Sequence, residues 1–299
     1  MNNQNLTTKL FQNYIAGKDI RSFKRNIFYY FYYRLSRLFF NKPLKIKINN
    51  LNLFSNHKKN RTSHSLLQKC NFFDVSEINT IKKLNKSYKL YLIDCGCNFG
   101  FYSFYTASLS KENQVISIEA SKSTLEEFND NLKVNDFKNI KVLNKAVSDV
   151  DNQKMEFNES EKDWESSLLI SKFNIKKKNI VNSVTIDKVV KKENIGKKLL
   201  ILKIDVEGAD FNVLDGAKTT IMENKPFIII EFSTYIFKNK KFNYDYLADF
   251  LKTNDYQIYS KNGDKCSIEE IIKLLKKLDK VHDTIGNYYL ISNSRKELV

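Results

Sequence analysis

The hydrophobic positions fall into short apolar runs separated by stretches of helical spacing. Leu90–Ile93 is an unbroken run of strand formers, and QVISIE, IKVLN, LLILKI and PFIIIE follow it at intervals filled by amphipathic segments. Runs of this kind predict parallel strands buried on both faces. Between them, Ser76–Lys86 carries Ile78, Ile81 and Leu84, and Lys122–Asn135 carries Leu125, Phe128 and Leu132, each at the spacing of a helix with one covered face. Residues 101–110, about 209–224, 243–254 and 268–280 read as further helices, and YQIYS and NYYLIS as two late strands. The alternation predicts an α/β fold, a doubly wound and mostly parallel sheet with an antiparallel pair at its end. QKMEFN and SVTIDKVV read as additional strands, and IKVLNKAVSD as one continuous strand.

The first run ends in a distinctive turn, Asp94-Cys-Gly96-Cys-Asn-Phe-Gly100. The Asp-x-Gly-x-x-x-Gly spacing differs from the Gly-x-Gly-x-x-Gly of dinucleotide sites and from a Walker loop. Its glycines are expected to let a ligand approach the backbone. The second strand ends at Glu119, 19 residues beyond Gly100, where an acid can accept from both ribose hydroxyls of an adenosine cofactor. Strand three leads to Asn144, Ala146 and Ser148, expected near the adenine edge. The run around Lys203 closes on Asp205, Glu207 and Gly208, and the next strand ends on Glu231.

Composition changes this picture in one place. The net charge is +16, but residues 1–90 carry 18 Lys+Arg against 3 Asp+Glu, so nearly all of it belongs to the N-terminal part. Phe23–Phe40 is dense in aromatics and holds Lys24, Arg25, Arg34 and Arg37. Four cations in that span argue against a membrane-crossing helix. As a surface helix it could lie on an anionic bilayer, or dock its aromatic face on the α/β domain. The chain therefore divides into residues 1–88, a basic, aromatic-rich and largely helical extension, and residues 89–299, the cofactor-binding domain. No charged-then-apolar signal pattern opens the chain, so a cytoplasmic protein is expected, with peripheral contact at the inner membrane face as the alternative.

Four cysteines, Cys70, Cys95, Cys97 and Cys266, lack the density of a disulfide scaffold and the spacing of a zinc site. Cys95 and Cys97 read as small residues in a tight turn, and no metal ligand is assigned to them. The carboxylates at the strand tips could hold Mg²⁺, but the simpler reading has Glu207 capping the following helix. Trp164 with Ser166 and Ser167 marks a polar loop, and His282 beside Asp283 is a further acid–base candidate.

Six ordered blocks, IDCGCNFGFYS, SIEAS with Asn131 and Asn135, NKAVSD, SSL, LKIDVEGADFNVLDGA and PFIIIE, together resemble the FkbM family of S-adenosylmethionine-dependent methyltransferases. The similarity covers residues 90–235. It implies a Rossmann-like class I methyltransferase sheet of seven strands with an antiparallel last strand, and O-methylation of a hydroxyl on a glycan, lipid-linked saccharide or related small molecule. Carried across, Asp94, Gly96, Cys97, Asn98 and Gly100 would line the methionine end of S-adenosylmethionine. Glu119 and Ala120 would hold the ribose, and Asn144 and Ala146 would border the adenine. Asp205 and Glu207 would face the methyl group. From their places at the strand tips, Asp205 is the first choice as catalytic general base, with Glu207 and Glu231 second. Two competing readings stand beside this one: an RNA methyltransferase using the basic arm, and a non-catalytic membrane or scaffold protein. The chain lacks the Asn/Asp-Pro-Pro-Tyr tetrad of amino-methylating enzymes, which weighs against nucleic acid as the partner.

Overall fold

The computed structural model describes residues 44–48, 51–55, 74–160, 175–234, 244–278 and 284–299. The aromatic stretch 23–40, Trp164 with its serines and the His282–Asp283 pair lie outside the described residues.

The described chain begins with a hairpin, β1 (Leu44–Ile48) and β2 (Leu51–Ser55), followed by helix α1 (Val75–Ser87). The extension therefore contains a β-hairpin as well as helix. The large sheet starts with β3 (Leu90–Cys95), which runs through α2 (Phe101–Leu109) to β4 (Gln114–Glu119), and then through α3 (Lys122–Asn135) to β5 (Ile140–Asn144). A short strand β6 (Ala146–Val147) pairs with β8 (Ile175–Val184), and β8 pairs with β7 (Lys154–Ser160), in a separate three-stranded sheet. Helix α4 (Ile186–Lys191) leads to β9 (Leu199–Ile204), then α5 (Asp210–Asp215), α6 (Lys218–Asn224) and β10 (Phe227–Ser233). The chain closes with α7 (Tyr244–Asn254), β11 (Tyr256–Tyr259), β12 (Lys265–Cys266), α8 (Ile268–Lys276), β13 (Thr284–Ser292) and a 3₁₀ segment, Asn293–Leu298.

The large sheet has eight strands in the order β12-β11-β13-β10-β9-β3-β4-β5. Strands β5, β4, β3, β9 and β10 are mutually parallel, and β13 slots between β10 and β11, antiparallel to both. Removing the two-residue edge strand β12 leaves the seven strands expected, with the antiparallel one next to last in position. The late strands form the antiparallel pair expected, with β13 inserted between β10 and β11.

Strand β3 shows why the order holds. Leu90 and Leu92 pack on one face with α1, α2 and the β1–β2 hairpin, while Tyr91, Ile93 and Cys95 pack on the other with α4 to α8. A strand apolar on both faces can only be central. Each such side chain taken fully out of water contributes roughly 1.5–3 kcal/mol. Leu51, Leu53, Ile78, Ile81 and Leu84 are buried in the first of these layers, so the segments before residue 89 share the core of the sheet that follows. One side chain of α3 also ties the hairpin to the domain. Asn135 accepts from the Asn52 amide at 2.9 Å and donates to the Asn52 carbonyl at 2.7 Å, so its amide acts as one more strand residue beside β2.

Three sequence expectations are corrected. SVTIDKVV is a strand only as far as Val184. Thr185 caps the amide of Lys188, and Ile186 and Val189 bury one face of a short helix despite their β-branched character. IKVLNKAVSD breaks at Lys145 and feeds two different sheets. The helix expected over 209–224 is two helices, separated at Gly216 and Ala217. A β-carbon at Gly216 would collide with the carbonyl oxygen of Ser148, so this junction presses directly on the chain after β6. Asp187 then caps α6, accepting from the amides of Thr219 and Thr220 at 3.0 and 2.8 Å.

Candidate active site

The carboxyl ends of β3, β4 and β9 open onto one pocket, with about 1040 Å³ of non-atom space, mouth included. Parallel sheets of this topology bind ligands at that edge, where the strand order reverses about β3.

The turn after β3 forms the floor. Gly96 and Cys97 donate to the carbonyl of Ile118 at 2.9 and 3.1 Å, which ties the turn to β4. Gly96 has φ +74°, and a β-carbon there would collide with the Asp205 carbonyl oxygen. Gly100, with φ +94°, presses against the rings of Phe104 and Phe128. Both glycines are therefore required by contact with the protein itself. Gly96 lines the pocket, whereas Gly100 stands behind its wall as the first residue before α2.

Glu119 organises the adjoining side. Its two oxygens accept from the backbone amides of Asn98, at 3.0 Å, and Ser121, at 2.8 Å. The carboxylate thus binds the β3 turn to the head of α3, and each oxygen keeps acceptor capacity toward the pocket. Burial pushes its pKa up to about 7, against the opposing pull of those amides. Ala120, Ala146 and Phe157 form an apolar wall beyond it. Asn144 does not line the pocket; its amide donates to the carbonyls of Glu119 and Ala120 at 2.9 and 3.0 Å and so holds the wall in place from behind.

The other end is acidic. Asp94 is buried, accepts from Ser103 at 2.6 Å, and Ser117 in turn donates to Ser103 at 2.7 Å. Burial raises the Asp94 carboxyl to about 6, with the Ser103 hydrogen bond and Lys203 opposing. Lys203 stands beside Asp94 in the β3–β9 register, 2% exposed, with its ammonium 3.0 Å from Asp205 and 5.2 Å from the centre of the Tyr102 ring. Tyr102 donates to Asp74 at 2.7 Å. Burial alone would lower the lysine, but the charges of Asp205, Glu231 and Asp74 outweigh it and hold its pKa above the ordinary value.

Glu207, at φ +54° in the turn after β9, lines the pocket beside Asp205. Burial, followed by the negative charges of Asp205, Glu231 and Asp210, raises it well above the usual carboxylate range. The turn is capped by Asp210, which accepts from the amides of Val206 and Gly208 at 3.2 and 3.0 Å; the cap expected of Glu207 belongs to Asp210. Glu231 stays behind the pocket wall next to Asp205, its carboxyl raised to about 8 by burial and then by Asp205. Among the described residues no three His, Cys, Asp or Glu side chains are arranged to hold a metal ion.

The structure thus brings Asp94, Gly96, Cys97, Asn98, Glu119, Ala120, Ala146, Asp205 and Glu207 to one cavity, and leaves Gly100, Asn144 and Glu231 just outside it. Sequence reasoning missed Asp74, Tyr102, Phe157 and the site role of Lys203. Only Lys203 carried a signal, as a cation inside the apolar run LLILKI. A lysine is rarely fully buried without a partner.

Sheet order, turn and acid together define a class I methyltransferase. The chain belongs to the FkbM methyltransferase domain family, whose sequence model matches residues 94–258. No curated protein matches it. Among solved structures it is similar to the methyltransferase FkbM from Methylobacillus flagellatus KT, with 16% identity and a TM-score of 0.41; the alignment covers 76% of this chain and 52% of that one. The chain thus spans about half the length of that structure. It is also similar to M. jannaschii TYW2 in complex with AdoMet (10% identity, TM-score 0.39, 84% and 87% of the two chains). An rRNA methylase from Streptococcus thermophilus matches at 10% identity and a TM-score of 0.38, over 72% of this chain and 93% of that one.

The cofactor this family implies is S-adenosylmethionine, and the pocket residues fit it. Glu119 offers carboxylate oxygens to a ribose, the Ala120–Ala146–Phe157 wall suits a flat base, and Asp94 and Asp205 offer negative charge to a cationic methionine end.

Proposed function

We propose that this protein transfers the methyl group of S-adenosylmethionine to a hydroxyl oxygen of a glycan or lipid-linked saccharide. When bound, the cofactor supplies an electrophilic methyl. The chain's own residues must align the acceptor, exclude water and take the hydroxyl proton; orientation alone can contribute ~7–11 kcal/mol. Asp205 and Glu207 are the groups assigned to orient the acceptor and accept its proton, with Glu231 as a charge behind them. Glu119 and Ala120 hold the ribose, and Ala146 with Phe157 flanks the base.

The observation that carries this reading is the acidic end of the pocket. Asp74, Asp205 and Glu207 line it with Lys203, whose ammonium is committed to an ion pair with Asp205. Carboxylates suit a neutral polyol that needs deprotonation, and oppose the approach of a phosphate backbone. That weighs against the RNA-modifying alternative. A pocket with Gly96, Glu119 and Asp205 in place also weighs against a non-catalytic scaffold.

Incubation with S-adenosylmethionine carrying a labelled methyl tests the reading, with uncharged hexopyranosides in one arm and total RNA in the other. Label is expected in the saccharide arm; label in RNA alone would overturn the proposal.

The sequence of residues 23–40 supports a second, separable role, peripheral contact with an anionic membrane surface. No helix among the described residues is long and apolar enough to cross a membrane. Co-sedimentation with phosphatidylserine vesicles is expected to fall with added salt and on deletion of the segment. Equal pelleting of the truncated protein ends that idea.

A further inference from the structure

Among the described residues, Asp74 is the pocket's single contribution from ahead of β3, and it lies outside residues 94–258, which the family model matches. It stands at the head of α1, where an aspartate ordinarily accepts from the amides of its own first turn. None of those amides donates to its side chain. The carboxylate accepts from the Tyr102 hydroxyl instead, at 2.7 Å, and is half-buried at the edge of the pocket. Both partners are firmly placed. The Ile78 amide donates to the Asp74 carbonyl at 3.0 Å, and Ile78, Ile81 and Leu84 bury the face of α1. Tyr102 is 7% exposed, with its ring centre 5.2 Å from the Lys203 ammonium, which pairs with Asp205. One run of contacts, Asp74 to Tyr102 to Lys203 to Asp205, thus crosses the acidic end of the pocket from α1 to the turn after β9.

We propose that Asp74 is a specificity-determining residue for the acceptor: its carboxylate, set in place by Tyr102, accepts a hydrogen bond from a hydroxyl of an uncharged saccharide and turns away an anionic saccharide of the same shape. The inference rests on the methyltransferase reading above and names the chemical character of the acceptor that the site admits. An ionised carboxylate only accepts hydrogen bonds, and the Tyr102 hydroxyl leaves acceptor capacity on it toward the pocket. To a polyol hydroxyl this is a charge-assisted partner, and to a uronate or phosphate it is a like charge. Discrimination between two ligands of equal shape comes from such a paired gain and penalty. The parts of the cofactor already have partners elsewhere: Glu119 for the ribose, the Ala120–Ala146–Phe157 wall for the base, and Asp94 with Asp205 for the cationic methionine end. Asp74 faces the pocket from across these, on the side where a second ligand must enter.

The experiment is a saturation-transfer NMR titration of the full chain, saturated with S-adenosylhomocysteine, using methyl glycosides of glucose, galactose and mannose and of the corresponding uronic acids. The wild-type protein is expected to prefer an uncharged glycoside over its uronate by about tenfold or more. Asp74→Asn keeps a carbonyl oxygen for Tyr102, and is expected to weaken the uncharged glycoside about fivefold and to reduce that preference about tenfold. Asp74→Ser, which gives α1 an ordinary cap, supplies the same comparison if the asparagine variant fails to fold. Tyr102→Phe leaves the charge of Asp74 but not its tether, so the uncharged glycoside should weaken while the preference persists. A preference unchanged in the Asp74 variants, or one that collapses equally in Tyr102→Phe, overturns the proposal, because a residue that only shapes the wall would weaken both classes of ligand alike. Calorimetric titration with S-adenosylmethionine separates the two claims. Asp74→Asn is expected to bind it within about twofold of wild type, and a tenfold loss would place Asp74 on the cofactor and overturn the acceptor role. Wild-type protein that binds S-adenosylmethionine but none of the uncharged glycosides also defeats the role of Asp74, whereas absence of S-adenosylmethionine binding defeats the methyltransferase reading itself.

Discussion

A β-carbon on Gly96 would occupy the space of the Asp205 carbonyl oxygen, so the turn after the first sheet strand and the turn after the fourth are in direct backbone contact. The contact joins the Gly96 side of the pocket to its acidic end. It explains how residues more than a hundred positions apart keep a common geometry.

Substitution Gly96→Ala therefore meets both a left-handed backbone, φ +74°, and a collision with main chain that cannot rotate away. Loss of roughly 2–4 kcal/mol of folding stability is expected, together with loss of cofactor binding. Urea unfolding monitored by circular dichroism measures the first effect. An alanine variant as stable as wild type would mean that the two turns do not touch.

Stability should fall as pH rises. The folded-state carboxyls of Asp94 and Asp210 lie at about 6, Glu119 at about 7 and Glu231 at about 8, each raised chiefly by burial. Between the ordinary carboxylate range and these values the folded protein binds more protons than the unfolded chain, so unfolding free energy decreases with pH across that window. Lys203, held above the usual lysine value, stays charged throughout and adds no slope there. Differential scanning fluorimetry of the cofactor-free protein is expected to show a lower Tm at pH 8 than at pH 5, and Glu231→Gln should flatten the alkaline half of the profile. A Tm that climbs from pH 5 to pH 8 contradicts this.

Phe157 reaches the pocket from the small sheet and packs with Ala120, Ala146 and Val181. Phe157→Ala is expected to weaken S-adenosylmethionine about tenfold, equivalent to about 1.4 kcal/mol, while S-methyl-thioethers lacking the base show no discrimination between variant and wild type. Fluorescence competition measures both. Unchanged cofactor affinity would place the base elsewhere.

Much of this architecture was legible in the sequence because the strands of a covered parallel sheet announce themselves as unbroken apolar runs; Leu90–Ile93 and Phe227–Ile230 are examples. The turn and Glu119 were legible because their spacing along the chain is set by one strand–helix–strand unit. Residues 186–191 were not, since their β-branched content masks a helix that is stabilised by the Thr185 cap and by burial of Ile186 and Val189. Asp74, Tyr102 and Phe157 were hidden for a different reason: they enter the site by long-range packing, from the head of α1, the inner face of α2 and the small sheet. Asn144 and Gly100 show the converse, positions of suggestive type and spacing whose side of the wall only the three-dimensional packing decides.

The central claim is that Glu119 and the Gly96 turn clasp an adenosyl sulfonium. Isothermal titration of S-adenosylmethionine at pH 8, where Glu119 is ionised, tests it most directly. The account predicts saturable binding at one site per chain and an affinity at least about tenfold weaker in Glu119→Gln. Absence of saturable binding by the wild-type protein, or equal affinity in the two proteins, would contradict it.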